Sequence, residues 1–167
     1  MRAAALIGCL LVATPVAADD AVLAVMGRKL DRAADAGGHV SAVIACYRGH
    51  GDTEKTAAFF TEAGWSREDD SEMGLTYFAS PAADLGVTLA ADGSFCEVAS
   101  ETRGTDLALS AFVPVLAAAG LSYDTADTDI GCAAFLPEPG VRVEITSTGQ
   151  DPVCASETTS AVRVIFE

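Results

Sequence analysis

Apolar residues recur at helical spacing in the part of the chain that follows residue 18. Val40, Val43, Ile44 and Tyr47 stand at positions i, i+3, i+4 and i+7, which is the spacing of one face of an α-helix. Glycines and capping residues divide this region into three predicted helices. The helices lie between Asp19-Asp20 and Gly37-Gly38, over residues 40–47 up to Gly49, and between Asp52 or Thr53 and Gly64.

Near residue 76 the spacing of the apolar positions changes from a period of 3.6 residues, typical of a helix, to a period of two residues, typical of a strand. In 141–147, valine and isoleucine alternate with arginine, glutamate and threonine, so one face of this strand is apolar and the other is polar. Such alternation is typical of an antiparallel sheet that is covered on one side only. Asp92-Gly93 has the residues of a tight hairpin turn. The predicted strands are 76–79, 87–91, 95–100, 133–136, 141–147 and 161–166.

A fourth helix is predicted between the two groups of strands. Thr105 is placed to cap it, and Gly120 follows its last residue, Ala119. Pro114 lies inside this segment and removes the hydrogen bond to Ser110, which predicts a kink. The sequence therefore predicts an α+β fold with helices packed on one face of an antiparallel sheet.

Similar residues recur in the same order in the two halves. Residues 59–68 align with 115–124, and Gly86-Val87 aligns with Gly140-Val141. Ala-Ser-Glu-Thr follows Cys96 and also follows Cys154. We therefore predict two related α-β-β units that share one core; chance similarity between two helix-to-sheet units is the alternative. In this division, 19–167 is a single domain made of N-terminal helices (19–51), a first unit (52–104) and a second unit (105–167).

The first eighteen residues have the pattern of a cleaved export signal. Arg2 precedes a short apolar run, and small residues that include Val16 and Ala18 come before Asp19. The run is too short to span a bilayer, so no stable membrane insertion is predicted. Leu6 to Cys9 has the residue types of a lipoprotein box, but it lies within the apolar run instead of after it. A periplasmic or secreted protein is predicted.

The chain is strongly acidic, with a formal charge of −14. Without residues 1–18 it has nine basic and 24 acidic residues, which gives −15. This charge opposes binding to nucleic acids and anionic lipids and favours a cationic partner. The alternative is that the charge serves only solubility. An unidentified envelope or extracellular protein is the predicted partner.

Four cysteines remain after residue 18, and they allow three disulfide connectivities. If the halves are duplicated, Cys96 and Cys154 hold corresponding positions, so each pairs within its own half. The prediction is therefore Cys46–Cys96 and Cys132–Cys154. A redox pair or a zinc site is the alternative, but the sequence has neither Cys-x-x-Cys nor a second Cys/His pair at ligand spacing.

The loop Arg48-Gly49-His50-Gly51-Asp52 is the first candidate for chemistry. Its glycines allow close approach of a ligand to the backbone, and Arg48, His50 and Asp52 could bind it or titrate. The alternative is a glycine-rich connection in which Asp52 caps the next helix. No nucleophile with an identifiable base accompanies the loop.

The acidic segment 124–131 is the second candidate. Asp124, Asp127 and Asp129 precede Gly131 and could supply oxygen ligands to calcium. The segment lacks the downstream bidentate glutamate of an EF-hand, which favours a solvated loop. No motif for an organic cofactor is present, and no cofactor is predicted.

These observations predict an exported, disulfide-stabilised, non-catalytic module that binds a protein or a small ligand. Two alternatives stay open: a small hydrolase with His50 as its base, and a calcium-binding module. The layout is similar to the tandem helix-plus-sheet arrangement of secreted β-lactamase inhibitor proteins. That resemblance concerns architecture and one hairpin-like cysteine pair, and it assigns a role to no residue.

Overall fold

The computed structural model describes residues 20–32, 36–82, 84–122, 124–126, 132–149 and 152–167. The predicted export signal lies outside these residues, as do Asp127 and Asp129 of the candidate calcium loop. Among the described residues, no helix has the length and apolar character that a membrane span requires.

The helices occupy two parts of the chain. Those of the N-terminal part are α1 (Asp20–Met26), a 3-10 helix (Gly27–Arg32), α2 (Ala36–Gly49) and α3 (Thr53–Glu62); α4 (Thr105–Ala118) lies between the two groups of strands. The prediction that Gly37-Gly38 ends the first helix is wrong, because both glycines belong to the first turn of α2. Glycine is tolerated there, since the first amide groups of a helix lack helical partners. The Ser41 hydroxyl donates to the Gly37 carbonyl, 2.7 Å away, and stabilises this turn.

The caps of α3 and α4 differ from each other. Asp52 caps α3, and its Oδ1 accepts a hydrogen bond from the Lys55 amide at 3.0 Å. The N-cap of α4 is Gly104, so the prediction that Thr105 caps this helix is wrong. Thr105 instead exchanges hydrogen bonds with the backbone of Ser156, which holds the start of α4 against the segment before the last strand.

Seven strands form one antiparallel sheet in the order β1-β2-β3-β4-β7-β6-β5. Their register aligns Val87, Val98, Val162 and Ile145 in one buried row across the four central strands. Helices α2 and α4 cover this face, α2 against β4 and β7 and α4 against β6 and β7. The predicted α+β architecture is therefore confirmed. The strands are β1 (Ser66–Asp70), β2 (Leu75–Ala79), β3 (Leu85–Ala90), β4 (Phe95–Ser100), β5 (Ala133–Glu138), β6 (Val141–Thr146) and β7 (Ser160–Phe166).

The opposite face of the sheet carries the polar residues of the alternating pattern. Glu97 and Arg163 stand opposite each other on β4 and β7, and the Arg163 Nε donates to the Glu97 carboxylate at 2.8 Å. The Arg163 guanidinium also lies 5.1 Å from the centre of the Phe95 ring.

The two edges of the sheet differ in sequence, but both are protected. The edge strand β1 is Ser-Arg-Glu-Asp-Asp, and its charges oppose pairing with another strand. The edge strand β5 contains Pro137, which has no amide hydrogen to donate. Asp124 and Ala126 also lie beside β5: the Leu136 amide donates to the Asp124 carbonyl at 3.1 Å, and the Ala126 amide donates to the Ala134 carbonyl at 3.0 Å.

Two disulfides are present, at the pairs predicted from the sequence. Cys46–Cys96 joins α2 to β4, with 5.5 Å between the Cα atoms and both residues fully buried. Cys132–Cys154, with Cα atoms 4.7 Å apart, joins the residue before β5 to the connection between β6 and β7. It therefore links two segments that flank strands.

The predicted duplication is not confirmed. The strand order is symmetric about the β4–β7 pair: β3 and then β2 follow on one side, and β6 and then β5 follow on the other. β1 adds a fourth strand to the first half alone. The relation between the halves therefore stays a prediction.

Candidate functional site

A solvent-open cleft of about 720 Å³ lies where α4 leads towards β5 and where β5 turns into β6. We call it the β5–β6 cleft. Its walls combine apolar side chains with three carboxylates, and its size falls within the range of small-ligand sites. The lining residues are Gly120, Leu121, Ser122, Asp124, Leu136, Pro137, Glu138, Pro139, Gly140 and Glu167.

Two glycine turns shape the cleft. After α4, Gly120 has a φ of +69°, and the next amide, that of Leu121, donates to the Leu116 carbonyl at 2.9 Å. Between β5 and β6, Gly140 has a φ of +78°, and its carbonyl accepts from the Glu167 amide at 2.9 Å. Both turns use the left-handed conformation that glycine adopts without steric cost.

The cleft is apolar and acidic at once. Leu136 is 46% exposed there, so the cleft offers aliphatic surface to a ligand. Among the described residues that line the cleft, none is lysine or arginine. The Arg142 Nε lies 3.9 Å from the Glu167 carboxylate, so it offsets one of the three negative charges only partly.

Tyr47 lies beneath one side of the cleft. Its residue is only 6% exposed, and its hydroxyl makes no hydrogen bond of good geometry within the described part of the chain. Burial, together with the adjacent Glu138 carboxylate, raises the pKa of Tyr47 far above its ordinary value. The phenol is therefore neutral and lies beside Glu138, one of the residues that line the cleft.

His50 stands beside the same carboxylate. Its Nδ1 lies 3.8 Å from the Glu138 Oε1, and its ring makes an edge contact with Phe166 at 5.6 Å between centroids. His50 has a φ of +53°, in the left-handed region that non-glycine residues rarely adopt. The loop is held in this conformation by the β3–β4 turn, because Gly51 and Gly93 meet backbone to backbone.

Gly93→Ala is expected to lower the free energy of unfolding by about 2 kcal/mol, against about 1 kcal/mol for Gly74→Ala. Both glycines have positive φ, of +78° and +66°, so both variants share the conformational cost. A Cβ on Gly93 would clash with the Gly51 carbonyl oxygen, whereas one on Gly74 meets nothing within 4 Å. Urea unfolding of both variants measures the difference, and equal losses would contradict a close contact that positions the His50 loop.

The other two members of the predicted loop face away from His50. Arg48 donates from Nε to the Asp20 carboxylate at 2.9 Å, and its guanidinium lies 5.3 Å from the centre of the Phe59 ring. Asp52 caps α3. The structure therefore brings only His50 to the edge of the cleft.

The side chains that line the cleft give little support to the hydrolase alternative. Ser122 is the one side-chain hydroxyl among the described lining residues, and it donates to the Asp124 carboxylate at 2.9 Å. The Ser122 hydroxyl also accepts from the Asp124 amide at 3.1 Å. A hydroxyl held in this way has a carboxylate partner but no imidazole base, so the pattern is that of a local turn.

Most of the residues in the calcium-binding alternative lie outside the part of the chain that the structure describes. Asp124 is exposed and bonded to Ser122, while the other two candidate aspartates are not described. Within the described residues, no group of three or more His, Cys, Asp or Glu side chains is placed to hold a metal ion.

Sequence reasoning did not find Tyr47, Leu136, Glu138 or Glu167 as members of a site. Tyr47 and Leu136 belong to the apolar periodicity of their helix and strand, which predicts a role in the core. Glu138 is the last residue of β5, Glu167 follows β7, and neither has a motif around it. The cleft is assembled from segments far apart in the chain, so no local spacing could indicate it.

Comparison of this chain with protein-family models, with curated proteins and with solved structures finds no match. The architectural resemblance to the β-lactamase inhibitor proteins therefore gains no support, and the function has to be argued from the site alone.

Proposed function

We propose that this chain is an exported, disulfide-stabilised, non-catalytic module that binds a segment of another protein in the β5–β6 cleft. The observation that carries the proposal is the cleft itself, which is open to solvent, apolar on its walls, and framed by carboxylates without a lysine or arginine among its described lining residues.

The size and composition of the cleft support binding of side chains. A volume of about 720 Å³ has room for a few side chains of a bound peptide. Covering the exposed part of Leu136 would contribute about 1 kcal/mol. The prolines that flank Glu138 restrict the backbone of the cleft wall, so little conformational entropy is lost on binding.

Export is supported by three features that agree with one another. The sequence has the pattern of a signal over residues 1–18, the two disulfides require an oxidising compartment to persist, and the charge of −14 keeps the chain soluble. A non-catalytic role is supported by the use of Arg48, Asp52 and Ser122 in local contacts.

Leu136→Asp is expected to abolish binding of small peptide probes, while Leu107→Asp leaves it unchanged. Leu107 is the matched control, because its exposure of 55% is close to the 46% of Leu136 and it does not line the cleft. The probes are the blocked tripeptides Ac-Leu-Xaa-Leu-NH2, with a basic, neutral or acidic central residue. Binding is followed by NMR chemical-shift changes at Leu121, Leu136 and Gly140.

The proposal fails if no probe shifts the cleft resonances, or if both aspartate variants bind alike. The protein for this experiment is purified from the periplasm, and its intact mass tests the export part. A chain that retains residues 1–18 there, or one that carries four free thiols, contradicts that part.

A further inference from the structure

We propose that the β5–β6 cleft recognises a basic side chain of its protein partner, with Glu138, positioned by Tyr47, binding the cationic head and the apolar wall binding its methylene stem. This inference rests on the proposed function and adds the chemistry of the bound group.

Glu138 is a carboxylate that lacks a permanent cationic partner within the described residues. Its side chain is partly buried, and the nearest basic group is His50 at 3.8 Å, which is charged only when protonated. A carboxylate removed from much of its water and left without a counter-charge gains free energy when a cation binds beside it.

Tyr47 positions the Glu138 side chain from beneath the cleft. Its phenol is buried, is not among the residues that line the cleft, and lies beside the Glu138 carboxylate. A neutral hydroxyl beside a carboxylate can donate to it and hold it in place without offsetting its negative charge. The ligand group must therefore be a cationic donor that pairs with the Glu138 carboxylate.

A guanidinium or ammonium group meets this requirement. Both carry several N–H donors and no acceptor, and the planar guanidinium can donate to two neighbouring oxygens at once. Arginine and lysine also carry an aliphatic stem of the kind that packs on apolar surface while the charge reaches a polar partner. Leu121, Leu136 and Pro139 provide that surface.

A metal ion fits the cleft less well than an organic cation. No described set of three or more acidic, histidine or cysteine side chains is placed to hold one. The cleft walls are apolar, and a hydrated metal ion gains nothing from such walls. Charge complementarity extends beyond the cleft, because the whole chain has a formal charge of −14 and attracts basic segments from a distance.

The test compares tripeptides that differ only in charge. We expect Ac-Leu-Arg-Leu-NH2 to bind at least tenfold more tightly than the same peptide with citrulline, which has the shape of arginine without its charge. Ac-Leu-Glu-Leu-NH2 should be weaker still. Dissociation constants are measured by NMR titration at constant ionic strength, with CaCl2 alone as a further arm.

Two pairs of variants assign the effect to the two residues. Glu138→Gln should weaken binding of the arginine peptide at least tenfold. Glu62→Gln removes the same charge from an exposed position on α3 and should alter binding less than twofold. Tyr47→Phe should weaken binding about threefold to tenfold, and Tyr77→Phe on the uncovered face should not. Urea unfolding of each variant verifies that it is folded before its affinity is measured.

The outcomes separate this inference from the proposed function. If arginine and citrulline peptides bind equally and Leu136→Asp abolishes both, the cleft is a binding site and the cationic assignment is overturned. If Glu138→Gln and Glu62→Gln behave alike, the assignment of Glu138 is overturned. If Ca²⁺ shifts the Glu138 and Tyr47 resonances and displaces the peptide, a metal site replaces the basic side chain. If no peptide binds at all, both this inference and the proposed function are contradicted.

Discussion

Replacing Cys46 and Cys96 together with alanine is expected to lower the free energy of unfolding by about 4 kcal/mol. The two cysteines are 50 residues apart in the chain, so the bond removes a long closed loop from the entropy of the unfolded state. Both cysteines are fully buried between α2 and β4. Loss of the sulfur atoms therefore also leaves a small cavity in the layer that joins helices to sheet.

Cys132→Ala with Cys154→Ala is the matched comparison. Its closed loop spans 22 residues, which predicts a cost of about 3 kcal/mol by the same chain-entropy argument. Equilibrium urea unfolding of both double variants, at one pH and without reductant, gives the two losses. A loss below about 1 kcal/mol for Cys46–Cys96 would contradict a role for this bond in holding α2 on the sheet.

Stability is expected to fall by about 3 kcal/mol as the pH is lowered from 7 to 4, and His39 is the group that causes most of this loss. His39 lies on α2, is 3% exposed, and has an Nε2 atom without a hydrogen-bond partner in the described residues. Burial, with a smaller contribution from the positive charge of Arg103, lowers the pKa of His39 from its ordinary value of 6.5 to about 4.

The sign of the effect follows from proton binding. Between pH 6.5 and pH 4 the unfolded chain protonates His39 while the folded chain keeps it neutral, so the unfolded state binds more protons. The stabilisation is therefore fully present above pH 6.5 and is lost as the pH falls towards 4. Below this window the folded state takes up the proton as well, and the contribution of His39 becomes constant.

His39→Phe removes this titration and should flatten the dependence of unfolding free energy on pH between 7 and 4.5. Urea unfolding at several pH values measures the slope for both proteins. The measurement stops above pH 4 because hydrogen bonds lower the pKa values of Asp69 and Asp92, and these carboxylates are protonated below that window. An unchanged slope in the variant would show that another group controls the acid response.

The parts of the fold that the sequence predicted are those in which one physical signal dominates. β6 alternates apolar and polar residues at every position, and the structure buries Val141, Val143 and Ile145 together. α3 begins after Asp52 and ends before Gly64, as its capping residues predict. β1 is absent from the predicted strands, because a wholly polar edge strand has no alternation of apolar and polar residues to reveal it.

The site was less predictable than the fold, for a different physical reason. Its apolar members have the spacing of ordinary core residues, and only tertiary structure leaves Leu136 exposed in a concave surface. Tyr47 and Glu138 come from α2 and β5 and meet only when the helices cover the sheet. The glycines of the His50 loop predicted close approach of a ligand, but one of them, Gly51, contacts the backbone of Gly93 instead.

The protection of both sheet edges has a consequence for the behaviour of the protein at high concentration. Fibre growth needs a strand whose amide and carbonyl groups are free to template another copy. Here like charges repel a second copy from β1, and Asp124 and Ala126 already occupy hydrogen-bonding groups of β5. We expect concentrated solutions of the folded protein to stay clear during storage.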